Sequence, residues 1–239
     1  MIKTLIITLL SVLLIVNISF PQAKGWIFSS INAGPSIPLG DFAKKNPTDP
    51  NSGYANIGYK VDLTVGINML SDFSICLMGM YNSNPVDANA LRNDIAAAYP
   101  LFNWNLTSES WHVKGIFMGL IKSFPVQNYN IDIKLFGGAL DFDSPEYKLT
   151  GTGPGTYATV TVKEKSTYSE CYIIAVGARY NINKNFSVGL NIESINSRPQ
   201  FTDMRTIYDI NGVQNEIRNS YKQWYNTINI LATISYAFY

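Results

Sequence analysis

Apolar and polar residues alternate with a period of two along most of this chain. The clearest run sets Ile57, Tyr59, Val61, Leu63, Val65, Ile67 and Met69 against Gly58, Lys60, Asp62, Thr64, Gly66 and Asn68. Such alternation puts successive side chains on opposite faces of a β-strand. Wound as a helix at about 100° per residue, Lys60 and Asp62 would scatter among the apolar positions.

The same rhythm predicts seven further strands. One lies within 26–37, interrupted by Gly34, Pro35 and Pro38, and its parity is ambiguous. After a tight turn at Ser71-Asp72, a strand over 73–81 carries Phe73, Ile75, Leu77 and Tyr81 on its apolar face. For 110–121 the expectation is Trp111, Val113, Phe117 and Ile121 outward, with His112 and Lys114 on the opposite face. A turn containing Pro125 leads to Tyr129, Ile131, Ile133 and Leu135, set against Asn130, Asp132 and Lys134. Tyr172, Ile174, Val176, Ala178 and Tyr180 oppose Ala175, Gly177 and Arg179. Phe186, Val188, Leu190 and Ile192 oppose Ser187, Gly189, Asn191 and Glu193. The last strand sets Ile228, Ile230, Ala232, Ile234, Tyr236 and Phe238 against small, mostly polar residues.

The connections alternate between short and long. Short ones follow the second, fourth and sixth strands, and long ones follow the others. Short periplasmic turns and long extracellular loops are the pattern of an outer-membrane barrel. The fold expected is therefore all-β: an eight-stranded antiparallel up-and-down transmembrane β-barrel, both ends of which face the periplasm. The loop 39–55 reads as irregular. The loop 82–109 predicts a short helix begun by Asp87 and ended before Pro100. Alternation resumes over 157–162, and Asn211-Gly212 is a strong hairpin signal. Strands five to eight are thus expected to extend as hairpins above the membrane.

The N-terminus carries Lys3 and then an apolar run over 5–16. That run is short of the ~20 residues of a transmembrane helix and reads as a secretory signal peptide. The expected division is signal peptide 1–23, with Ala23 before the cut, and barrel domain 24–239. Lys and Arg number 18 against 17 Asp and Glu, and the signal segment takes only Lys3. A near-neutral chain gives a nucleic-acid partner no electrostatic support. Charged residues make up only 15%, which suits a surface in hydrocarbon, and Tyr (15) and Phe (12) outnumber Trp (4). Tyr59, Tyr81, Trp111, Tyr129, Tyr180, Tyr236 and Phe238 fall near strand ends, as interfacial girdles do. Trp104, Trp224 and Tyr225, in or near outer loops, are expected to anchor or pack those loops, with a ligand platform as the alternative. Cys76 and Cys171 fall on strands that are not neighbours, so two buried free thiols are expected.

A barrel of this size has an interior just wide enough to be filled by side chains. The expected lumen network comprises Lys60, Asp62, His112, Lys114, Asp132, Lys134, Arg179 and Glu193. Both signs are present, because unpaired charges there carry a large desolvation cost. His112 is the single histidine, and Ser110 shares its strand face, which raises a nucleophile–base reading. On this parity the pair faces the lumen, whereas barrel lipid A deacylases use the opposite order on a lipid-accessible face. Metal-ligand spacings, phosphate loops and nucleotide fingerprints are lacking, so no cofactor is expected.

The segment Asn32-Ala33-Gly34-Pro35-Ser36-Ile37-Pro38-Leu39-Gly40-Asp41-Phe42 resembles the first strand and loop of small outer-membrane β-barrel domain proteins of Bacteroidetes and related bacteria, a group that includes the OmpA-type membrane domain. The C-terminal residues Ile234, Tyr236, Phe238 and Tyr239 are similar to the insertion signal read by the barrel-assembly machinery, with Tyr239 one residue past the usual terminal aromatic. The resemblance implies a location in the bacterial outer membrane among its lipids. Three functional readings remain: a structural or interaction protein that binds a protein partner through its extracellular loops, a narrow path for small solutes, and a lipid-modifying enzyme resting on Ser110 and His112. The first is the expectation, with no catalytic residues assigned.

Overall fold

A computed structural model describes residues 27–238 except 48, 50 and 71. The expected signal segment and Tyr239 lie outside the described residues. Eight strands close an antiparallel barrel: β1 (Ile27–Pro38), β2 (Gly58–Leu70), β3 (Phe73–Pro85), β5 (Ser110–Val126), β6 (Tyr129–Asp143), β9 (Ser166–Asn181), β10 (Phe186–Ser197) and β13 (Tyr225–Phe238). Closure joins β1 to β13, with Ile31 opposite Ile234 and Ala33 opposite Ala232. Closing the sheet pairs the backbone groups that an open edge would leave bare, which hydrocarbon does not tolerate.

The strands are longer than the apolar alternation suggested. β3 continues to Pro85, β6 to Asp143, and β9 begins at Ser166. Pro125 belongs to β5, and the turn after it is Gln127-Asn128, where Gln127 has φ 55°. Polar residues continue the ladder beyond the apolar band, because backbone pairing is indifferent to side-chain polarity once water is within reach.

Beyond the barrel, β4 (Asn103–Ser108), β7 (Tyr147–Gly153), β8 (Thr156–Val162), β11 (Gln200–Ile210) and β12 (Val213–Lys222) form a second, five-stranded sheet in the order β12-β11-β8-β7-β4. Each strand continues a barrel strand after a short break, and the order repeats that of β13, β10, β9, β6 and β5. One side of the barrel wall therefore rises past the band as an open sheet. Pro145 and Pro199 sit in two of the breaks, where a missing N–H ends the ladder. The hairpin at Asn211-Gly212 has positive φ at both residues, 52° and 86°, as a two-residue turn matched to strand twist requires. β4 and β7 carry little alternation and were not legible in the sequence.

The helix α1 (Ala88–Ala98) starts as expected, with the Asp87 carboxylate accepting from the Ala90 N–H at 2.9 Å, which satisfies one of the free donors of the first turn. It packs against β4. Lys45 holds Asp87 at 2.6 Å, and the Tyr54 hydroxyl donates to Asp94 at 2.8 Å, so the first loop and α1 are tied together.

Candidate functional site: the lumen, its plug and the outer wall

The lumen divides into three layers. At the short-turn mouth, Arg179 donates to Asp132 through Nε at 2.5 Å and Nη2 at 3.0 Å, and the Ser123 hydroxyl donates to the same carboxylate at 2.6 Å. A cavity of about 790 Å³ opens at this mouth, lined by Arg179, Ser123, Asn130 and the turn residues near Asn183. In the middle layer Lys60 is fully buried and bridges Asp62 and Glu193, each at 2.5 Å. Asn32 donates to Asp62, and Thr233 and Asn191 both donate to the Asn32 carbonyl, at 2.6 and 3.0 Å. Lys134 is buried and has no carboxylate within 4.0 Å among the described residues, although it feels the fields of Asp132, Glu193 and Asp62. Lys60, Lys134 and Arg179 balance Asp62, Asp132 and Glu193, so the enclosed charge is zero.

The third layer closes the long-loop end, and the alternation did not foretell it. Phe42 folds back from the first loop into the barrel and is fully buried. Its ring centroid lies 4.8 Å from that of Tyr225 and 5.6 Å from that of Trp111. Phe142 meets Tyr225 at 5.1 Å, and Phe201 meets Trp111 at 6.0 Å. The indole N–H of Trp111 donates to the Gly53 carbonyl at 3.1 Å, and Asn82 hydrogen-bonds the Tyr225 hydroxyl. Gly53 allows this approach, since a Cβ there would stand 2.5 Å from the Phe42 carbonyl oxygen. Offset and edge-on aromatic pairs add about 0.5–1.5 kcal/mol each beyond burial, so the plug is a cohesive unit.

β5 corrects the expected parity. Trp111, Val113, Phe117 and Ile121 point into the lumen and are buried, while Ile116, Met118 and Leu120 face out. His112 and Lys114 therefore leave the expected lumen set and lie on the outer wall. The reason is physical. This strand is apolar on both faces, since its inner face meets the plug and its outer face meets the band. His112 and Lys114 sit in register with the girdle tyrosines, as His112 opposes Ser83 and Lys114 opposes Tyr81. A cation near that level costs about 0–1 kcal/mol, against about 2–4 at mid-membrane, so the apolar rule is weak there.

The His112 Nδ1 lies 2.8 Å from the Tyr81 hydroxyl. No hydrogen bond joins His112 to Ser110 among the described residues, so the nucleophile–base pair is not assembled. Lys114 reaches Asp143 at 3.3 Å, and Ser166 donates to Asp143 at 2.6 Å. Cys76 and Cys171 are buried free thiols. Of the loop aromatics, Tyr225 is part of the plug, Trp224 lies under Arg198 at 4.7 Å, and Trp104 stacks on Phe102 at 5.2 Å.

On the other barrel strands the expected outward positions hold: Ile57 to Met69 on the β2 side, Ile75 and Leu77 on β3, Tyr172 to Tyr180 on β9, and Ile230, Ile234, Tyr236 and Phe238 on β13 are exposed. A closed barrel with an apolar exterior and a polar, charge-balanced interior inverts the order of a water-soluble protein. That architecture defines a transmembrane β-barrel of the outer-membrane type.

No protein-family model and no curated protein sequence matches the chain. Among solved structures, Neisserial surface protein A aligns at 10% identity over 91% of this chain and 100% of its own, with a TM-score of 0.44. The outer membrane protease OmpT from Escherichia coli aligns at 11% identity over 93% of this chain and 99% of its own, with a TM-score of 0.47. A major outer membrane protein from Thermus thermophilus aligns at 11% identity over 89% and 99%, with a TM-score of 0.46. The fold of this chain rests on its own strand pairing, which closes eight strands into a barrel.

Proposed function

We propose that this chain is a bacterial outer-membrane barrel that serves as an interaction scaffold, with binding carried by the five-stranded sheet beyond the membrane. The observation that carries the reading is the pairing of a plugged lumen with an exposed sheet edge. Phe42, Trp111 and Tyr225 pack together, buried, at the long-loop end of the lumen, which supports a structural interior. β12, by contrast, is exposed along nearly its whole length and is paired only on its β11 side. An unpaired strand edge is a template for a partner strand, with main-chain hydrogen bonds supplying affinity. Outer-membrane lipid is the surrounding medium. In this reading Ile234, Tyr236 and Phe238, facing outward on the closing strand, serve as the insertion signal for the barrel-assembly machinery.

The test is photo-crosslinking in native outer membranes from a reactive residue placed at Gln214 or Ile217. A protein adduct at these positions, missing when the residue is placed at Val65 on the barrel wall, is the expected result. Discrete single-channel steps from the wild-type chain in a planar bilayer would overturn the reading in favour of the solute path.

A further inference from the structure

At the long-loop end of the outward face, charged residues gather in one sector. There the girdle row runs Val61, Tyr81, Lys114, Asp141, Tyr168 from β2 across β3, β5 and β6 to β9. One row towards the band it runs Leu63, Gly79, Ile116, Ala139, Glu170. Two features coincide in this sector. The wall is hollowed: a Cβ added at Gly79 would meet nothing within 4 Å. A groove of about 700 Å³ runs over Gly79, Ile116 and Ala139 up to Lys114 and Asp141. Its floor is almost wholly apolar, and its upper end is charged.

The charges at that end are arranged unevenly. Lys114 stands directly opposite Asp141 but reaches instead to Asp143 at 3.3 Å. The Asp141 Oδ1 is enclosed and accepts no hydrogen bond among the described residues. Glu170 is exposed on the same face, diagonal to Asp141, with no cation within 4.0 Å among the described residues. The sector therefore combines one lysine that retains free N–H donors with carboxylates that lack a donor. Carboxylates bordering lipid without a partner are costly, and a ligand that brings a cation would relieve them.

We propose that this groove is a specific site for a zwitterionic, amine-headed phospholipid of the phosphoethanolamine type. One acyl chain lies over Gly79 and Ala139, beside Ile116, where the small side chains leave its width. The headgroup phosphate meets Lys114, and its ammonium meets Asp141 and Glu170. Charge complementarity selects this occupant: a purely anionic head would set its phosphate beside Asp141, Asp143 and Glu170 with only Lys114 to offset them.

The test uses the full barrel in nanodiscs of equal phosphatidylethanolamine and phosphatidylglycerol, released into the gas phase for native mass spectrometry. The expected result is one retained phosphatidylethanolamine, favoured at least tenfold over phosphatidylglycerol. The Gly79→Leu/Ala139→Leu double variant, which fills the groove from its two small outward positions, should lose the retained lipid while keeping the heat-modifiable mobility of a folded barrel. The Asp141→Asn/Glu170→Gln variant should keep a lipid but lose the headgroup preference. Equal retention of both lipids by the wild type, a preference for phosphatidylglycerol, or retention undiminished in the leucine variant would each overturn the proposal. Leu77→Ala, an outward change on the same strand below the groove, serves as the control and should leave retention unchanged.

Discussion

Lys60 shows what burial demands of one side chain. Its ammonium is fully enclosed and shared between Asp62 and Glu193. Removing one partner of a buried ion group leaves an uncompensated charge, which costs about 3–5 kcal/mol. Lys60→Met should lower stability by about that amount, read from urea unfolding of the refolded barrel in detergent micelles. Replacing Lys60, Asp62 and Glu193 together by apolar residues should cost less than the single change, because no bare charge remains. Asp87 makes a second residue-scale point, in the water-exposed loops. The Lys45 ammonium first, and the Ala90 N–H after it, hold its carboxyl below its ordinary value. Its contribution is therefore complete above that ordinary value and fades as pH falls through the lower folded one. Hydrogen exchange of α1 should accelerate in acid over that window, and Asp87→Ala should accelerate it at neutral pH, with a loss of about 1 kcal/mol for the missing cap.

At the scale of the element, β5 is the strand on which alternation misleads. Both of its faces are apolar, so the bulkier set, Trp111, Val113, Phe117 and Ile121, reads as the lipid face. What reverses it is the plug, which needs large side chains inside. Six other barrel strands were legible because one face must meet lipid and the other meets a polar interior, a contrast that fixes register strongly; in β1, Gly34, Pro35 and Pro38 break the contrast. Single cysteines in a background without Cys76 and Cys171 test the assignment. Ile116→Cys and Met118→Cys should react with a membrane-soluble maleimide, and Val113→Cys and Phe117→Cys should not; the opposite pattern would restore the simple reading. The β11–β12 hairpin was legible from Asn211-Gly212 alone, because few residue pairs accept two positive φ angles. β4 and β7 were not, since a strand bathed in water on one side and packed on loops on the other has no strict pattern to keep.

For the whole molecule, the barrel is an arrangement of layers along one axis: a wet mouth, a neutral ion-pair layer and an aromatic plug. In the proposed reading the plug is the layer that closes the tube. Phe42→Ala/Trp111→Ala should remove two of its packed rings and produce single-channel conductance in planar bilayers where the wild type gives none, at a stability loss of several kcal/mol. A silent double variant would mean that the middle layer seals the lumen by itself. Above the plug, the sheet from β4 to β12 exists because only one side of the wall continues past the band, which leaves β12 as an open edge.

The order of residues along this chain determined the barrel strands, their short and long connections, the start of α1 and the lipid-facing parity of six of the eight barrel strands. Each of these follows from local contrast: period-two polarity, turn residues with special backbone freedom, and a capping carboxylate. Only the tertiary structure decided the parity of β5, the insertion of Phe42, the partners of Lys60 and the outward placement of His112 and Lys114. Those depend on side chains far apart in the chain meeting across a closed wall, and no local pattern encodes which of them will fill a shared space.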